Sequence, residues 1–170
     1  MIRRTVDTNV PIVANGRSDD SAGNKSPSIG CRQAAINFLI SLLESGKILL
    51  DSGGAMQSEY HRHLNPRGQP AVGDRFYQAV LNSAPRRIER VELPLRPDGE
   101  YADVPQSLID ARFDPSDRKF AAMAKRARVR VSNATDSDWI DHRTLLADNG
   151  IVVEFVCGCD VKKWFCVNRP

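Results

Sequence analysis

Ile2-Arg3-Arg4-Thr5-Val6-Asp7-Thr8-Asn9 is the stretch on which the fold turns. Ile2 to Val6 is short and partly β-branched, as a strand should be, and an acid closes its C-terminal end. Downstream, segments of two periods alternate. Cys31–Glu44 sets Ala35, Leu39, Leu42 and Leu43 at helical spacing and is stopped by Gly46. Lys47–Asp51 reads as a second strand, and Gly53-Gly54 turns the chain into a helical stretch over Ala55–Leu64, closed by Pro66. Gly73–Ser83 presents Phe76, Tyr77, Val80 and Leu81 on one side. In Pro85–Glu100, Val91, Leu93 and Leu95 alternate with charges and prolines, which suits an edge strand or an extended loop. Asp114-Pro-Ser-Asp117 has the chemistry of a helix start, with Asp114 as N-cap, Pro115 at N1 and Asp117 at N3, leading into a helix to about Ala127. A strand over Val129–Ser132, a helix over Ile140–Asp148 ended by Gly150, and a strand over Ile151–Val156 complete the series. Strands alternating with helices predict one α/β domain whose mostly parallel sheet is covered on both faces.

The 170 residues suffice for one sizeable core. Their 41% apolar content and near-balance of 24 Lys+Arg against 21 Asp+Glu exclude a disordered chain. A net charge of +3 is too small to announce a nucleic-acid partner by itself. The most apolar stretch, Ala34–Leu43, is broken by Asn37 and Ser41, and the opening residues meet an acid at Asp7. Neither a membrane span nor a secretory signal is therefore expected, and the expected location is cytoplasmic. Cys31, Cys157, Cys159 and Cys166 are too unevenly spread for a disulfide framework and supply only three thiols near the C-terminus, so free thiols are expected and zinc is not. Asn15–Ser28 carries no large apolar residue and reads as a loop inserted early in the domain.

Ligands of a doubly covered sheet gather outside the carboxyl ends of its strands. Asp7 stands there after the first strand, and Asp136 with Asp138 follows the Val129–Ser132 strand. Glu59 lies within the Ala55–Leu64 helix and Asp117 in a helical first turn. Carboxylates brought from such separate segments to one edge would repel unless a divalent cation joined them. Oxygen-only ligation suits Mg²⁺ or Mn²⁺, which can activate water and clamp an in-line phosphoryl displacement.

Taken in order, Val6-Asp7-Thr8-Asn9, Glu59 in a helix after Asp51-Ser-Gly-Gly54, Asp114-Pro-Ser-Asp117-Arg-Lys-Phe-Ala-Ala and Asn133-Ala-Thr-Asp136-Ser-Asp138-Trp139 resemble the motifs of the PIN-domain nucleases. The resemblance spans residues 2 to 157 and implies a three-layer α/β/α sandwich with a mostly parallel central sheet. On this reading residues 1–157 form a single domain, 14–30 a flexible loop insertion and 158–170 a C-terminal tail. The resemblance implies an endoribonuclease that uses Mg²⁺ or Mn²⁺ to activate water against the phosphodiester of single-stranded RNA. The catalytic and metal-holding roles carry over onto Asp7, Glu59, Asp117 and Asp136, with Asp138 as a supporting or alternative acid and Asn9 orienting Asp7. The sequence departs from the pattern in the Asn15–Ser28 excursion, in Ala134 where a Thr or Ser is usual, and in Asp114, which competes with Asp117. Two alternatives stay open: a PIN-like module that binds RNA or a protein without cutting, and a relative of the DNA 5′-nucleases or flap nucleases. An antitoxin or regulatory protein is the partner that bacterial members of the family suggest, and a homodimer is also left open.

The remaining polar residues divide between site and scaffold. Asp114 is read as the cap, and His61 and His63, two apart on a helix, as surface residues. Trp139 is read as an aromatic packed under the acid-bearing loop, with base stacking as the lesser alternative. Arg86, Arg87 and Arg90 form one basic group; Arg118, Lys119, Lys125, Arg126, Arg128 and Arg130 form another. If they bind an RNA backbone, Arg118 and Lys119 are the best placed, since they adjoin Asp117. No Ser or Cys motif beside a His base suggests a covalent nucleophile.

Overall fold

The computed structural model describes residues 1–18, 25–82 and 85–167. The part of the Asn15–Ser28 loop at 19–24, the end of the Gly73–Ser83 helix at Ser83, and the end of the tail at 168–170 lie outside the described residues. The first strand, β1, is Arg3–Val6, and it is followed at once by a short helix α1 over Asn9–Ala14. The next strand, β2 (Lys25–Pro27), leads into α2 (Ile29–Ser45), whose N-terminus is capped by Ser28 Oγ accepting from the Cys31 N–H at 3.1 Å. Then come β3 (Lys47–Asp51), α3 (Ala55–His63), α4 (Val72–Asn82) and β4 (Ile88–Val91). The second half runs α5 (Gln106–Asp110), α6 (Arg118–Ala127), β5 (Arg130–Asn133), α7 (Ser137–Asp141), α8 (Arg143–Asp148), β6 (Val153–Phe155) and β7 (Phe165–Val167).

Five strands form one all-parallel sheet in the order β4-β3-β1-β5-β6. Helices flank it, with α6 against β1, β3 and β5, α1 against β5 and α2 against β3, giving the three-layer α/β/α sandwich expected. The register sets Val6 opposite Ser132, so Asp7 leaves the sheet level with the end of β5, and its N–H donates to the Ser132 carbonyl at 3.0 Å. From β1 the chain builds outward to β3 and β4 on one side and to β5 and β6 on the other. The strand order therefore reverses between β1 and β5, and such a switch point opens a crevice at the carboxyl ends.

The core on which this edge rests is aromatic as well as aliphatic. Tyr60, Phe76, Phe113, Phe120, Trp139 and Trp164 are fully buried, with Tyr60 meeting Phe76 edge-on at 5.3 Å and Phe113 meeting Trp139 edge-on at 5.0 Å. Asp51 is buried but structural: its two carboxylate oxygens accept from the Ala55 and Met56 N–H groups at 2.7 and 2.9 Å, starting α3 after Gly54 turns the chain at φ +82°. Gly73 lets α4 approach α1 so closely that an added Cβ would lie 2.1 Å from the Pro11 carbonyl oxygen. Among the described residues, no helix is long and apolar enough to cross a membrane.

Three local features differ from the sequence reading. The helix after Asp114 begins at Arg118, not within Asp114–Asp117; those four residues form a turn, in which Asp114 Oδ1 accepts from both the N–H and the hydroxyl of Ser116 at 2.7 Å. The helix expected over Ile140–Asp148 starts earlier, at Ser137, and is divided at His142 into α7 and α8. Segments of the insertion and the tail also pair with each other: β2 and β7 form an antiparallel ribbon, with Ser26 opposite Cys166. The Trp164 carbonyl accepts from the Ser28 N–H at 3.0 Å, and the Trp164 indole donates to the Gly158 carbonyl at 3.0 Å. All four cysteines are free.

Candidate metal centre

Asp7, Asp117 and Asp136 converge at the switch point, each offering a carboxylate oxygen, and these atoms all lie within 4.8 Å of one another. They come from three places: the end of β1, the turn before α6, and the loop after β5. The Asp114 turn explains why Asp117 is available. Because Asp114 takes up the local turn bonds, Asp117 occupies the N-cap position without making a side-chain cap bond.

Asp7 is held on both oxygens. Oδ1 accepts from the Asn9 N–H at 2.9 Å, and Oδ2 accepts from the Trp139 indole N–H at 2.6 Å. Trp139 is thus the packed aromatic expected, and its indole also fixes an acid of the site. That second role had no signal in the sequence beyond the proximity of Trp139 to Asp136 and Asp138. Asn9 ties β1 to β5: its amide donates to Asn133 Oδ1 at 2.7 Å, and its oxygen accepts from the Ala134 N–H at 2.7 Å and the Thr135 N–H at 3.3 Å. Asn133 in turn donates to the Asp136 carbonyl at 3.0 Å and accepts from the Asp136 N–H at 3.3 Å. Asp136 Oδ1 accepts from the Asp138 N–H at 2.9 Å, which starts α7. Every bond in this set is buried or partly buried, where a satisfied polar network fixes one arrangement.

The three acids are costly to ionise together. Burial, then the carboxylates of Asp136 and Glu59, push Asp7 up to about 8, against the opposing bonds from Asn9 and Trp139. Burial, then Asp7, Asp136, Asp114 and Asp138, push Asp117 up to about 10. Asp117 is 5% exposed, and its Oδ2 is buried with no hydrogen-bond partner among the described residues. A buried, unpartnered carboxylate oxygen beside two more carboxylates fits an oxygen-ligated divalent cation, which would satisfy the lone pairs and offset the repulsion.

The other expected site residues stand around the triad without joining it. Glu59 bonds the Thr8 hydroxyl and forms an ion pair with Lys119, whose ammonium also donates to the Ser116 carbonyl. Lys119 is 7% exposed and lies 4.8 Å from the Phe120 ring centre. Arg118 pairs with Glu100 at 2.5 Å and donates to the Phe113 carbonyl at 3.0 Å. Both cations nearest Asp117 therefore have partners inside the protein. Asp138 Oδ2 accepts from the Asp114 N–H at 2.8 Å and Oδ1 pairs with His142 at 3.0 Å, so Asp138 and Asp114 link the two acid-bearing loops. Beside Asp136 opens a cavity of about 380 Å³ lined by Asn9, Lys25, Thr135, Ser137 and, from the β2–β7 ribbon, Phe165.

No family model, no curated protein and no solved structure matches the chain.

Proposed function

We propose that the protein is a divalent-cation-dependent endoribonuclease acting on single-stranded RNA. The observation that carries this reading is the buried Asp7–Asp117–Asp136 triad at the switch point, with one of its oxygens unpartnered. These three residues would hold Mg²⁺ or Mn²⁺, and the bound cation would supply charge neutralisation and activated water for hydrolysis of a phosphodiester. Burial and the neighbouring carboxylates raise the pKa of Asp7 and Asp117, so binding of a cation there would release protons. The Asn9 backbone N–H and the Trp139 indole hold Asp7, while the Asn9 and Asn133 side chains hold the Asp136 loop, so the ligand positions are built into the fold. Glu59 and Lys119 form a neutral pair beside the triad. The adjoining cavity supplies an ammonium from Lys25, hydroxyls from Thr135 and Ser137, and an aromatic ring from Phe165, a lining suited to a nucleotide. The same reading expects a cytoplasmic location and, besides RNA, an antitoxin or regulatory protein as the partner to look for.

Incubation with single-stranded RNA and, in parallel, branched DNA tests the proposal. Cleavage of RNA with Mn²⁺, lost in EDTA and in Asp7→Asn, is expected. Full activity in EDTA or in that variant would refute it. Cleavage of the branched DNA alone would favour the 5′-nuclease reading, and RNA binding without cleavage a binding module.

A further inference from the structure

A second feature lies at the other end of the sheet, where the strands begin. Arg3 and Arg4 of β1, Lys125 and Arg128 at the C-terminal end of α6, and Arg130 of β5 line a cleft of about 730 Å³, closed on its far side by the 149–152 turn. In sequence the 125–130 bases follow closely after Asp117, yet α6 carries them away from it by about 15 Å, the rise of a ten-residue helix. No acid lines the cleft. Arg3 and Arg4 are compensated from outside it by Glu89 and Glu154. Lys125, Arg128 and Arg130 are exposed and make no ion pair with a described residue. A helix C-terminus favours cations, which accounts for Lys125 and Arg128 but not for bases contributed by β1 and β5.

We infer that this cleft binds the phosphodiester backbone of single-stranded nucleic acid as an accessory site, remote from the carboxylate triad. Arginine is the residue suited to phosphate, because its planar fork donates two parallel hydrogen bonds. The lining favours nucleic acid over the main alternative, an acidic protein segment. Protein interfaces are centred on aromatic or large apolar anchors, whereas the only apolar side chains here are Val129 and Val152. With no aromatic platform and no acceptor-rich edge, the cleft reads charge rather than base or sugar, so RNA and DNA homopolymers bind it alike. The inference does not rest on the cleavage reading: it requires a polyanion at the cleft whether or not the triad hydrolyses one.

Fluorescence anisotropy of labelled U20 RNA and dT20 DNA, in EDTA and across a salt series, tests it. Each phosphate contact contributes about 0.7 to the slope of log K against log salt on a single strand. Lys125→Gln/Arg128→Gln/Arg130→Gln should therefore flatten the slope by about 2 and weaken binding at least tenfold at low salt. Arg32→Gln/Arg62→Gln/Arg67→Gln removes the same charge from exposed positions elsewhere and should change both far less. Equal losses in the two triple variants, or an unchanged slope in the first, would overturn the inference. So would preferential binding of a polyglutamate competitor, which would assign the cleft to an acidic protein. Thermal melts of each variant establish that it is folded.

Discussion

Replacing Asp117 by Asn should stabilise the metal-free protein, and the gain should grow with pH. The unfolded chain ionises this carboxyl near 3.8, whereas the fold holds its proton up to about 10. A raised pKa contributes stability that is complete below 3.8 and is lost as the pH climbs towards the folded value, by about 1.4 kcal/mol per pH unit. By pH 7 the loss reaches an upper limit of about 4 kcal/mol, and by pH 5 only about 2 kcal/mol. Asn has nearly the same shape and no proton to retain, so the variant avoids this loss. Its amide also gives the unpartnered Oδ2 position a neutral neighbour for Asp7 and Asp136. Relaxation of the neighbouring carboxylates reduces the limit, leaving an expected gain of about 2–4 kcal/mol at pH 7. Urea unfolding of parent and variant in EDTA, at pH 5 and pH 7, measures both values. A variant less stable than the parent at pH 7, or a gain equal at the two pH values, would refute the electrostatic account of the triad.

Three other substitutions separate the scaffold from the site. Trp139→Phe keeps an aromatic against Phe113 but removes the N–H from Asp7 Oδ2. Because that bond lowers the Asp7 pKa, the ascending limb of the pH–rate profile for RNA cleavage should move to higher pH, with a stability loss of about 1–3 kcal/mol in thermal melts. Asn9→Ala strands the Ala134 and Thr135 N–H groups and takes one of two donors from Asn133 Oδ1, and should cost about 2–4 kcal/mol while weakening Mn²⁺ affinity measured by calorimetry. Gly73→Ala forces α4 away from the Pro11 carbonyl and should cost at least about 2 kcal/mol in urea unfolding, with Mn²⁺ affinity unchanged.

The sheet was legible because its signals are local. Val6 before Asp7, and Leu49 and Leu50 before Asp51, are short buried runs ending in acids, and helices of ordinary length separate them. The β2–β7 ribbon was not, because Lys25–Pro27 carries no apolar pattern and its partner lies some 140 residues along the chain. Asp114-Pro-Ser-Asp117 misled for a different reason: cap chemistry and turn chemistry share the same residues, and here the turn is satisfied first. That outcome frees Asp117 to face Asp7. Of the acids, those leaving the two strands that flank the switch point were placed by topology alone. Glu59 could not be, since its partner Lys119 belongs to α6 and only the packing of α3 against α6 brings them together. Sequence proximity also hides the length of a helix: Lys125, Arg128 and Arg130 follow Asp117 closely in the chain, yet the acid and Arg130 sit at opposite ends of the sheet.

The most direct test of the central claim is a Mn²⁺ soak of crystals, with an anomalous difference map. A peak within about 2.2 Å of carboxylate oxygens from Asp7, Asp117 and Asp136, with Glu59 still paired to Lys119, is the expected result. A map with no peak between these three residues at saturating Mn²⁺, or with the ion held elsewhere, would contradict the account.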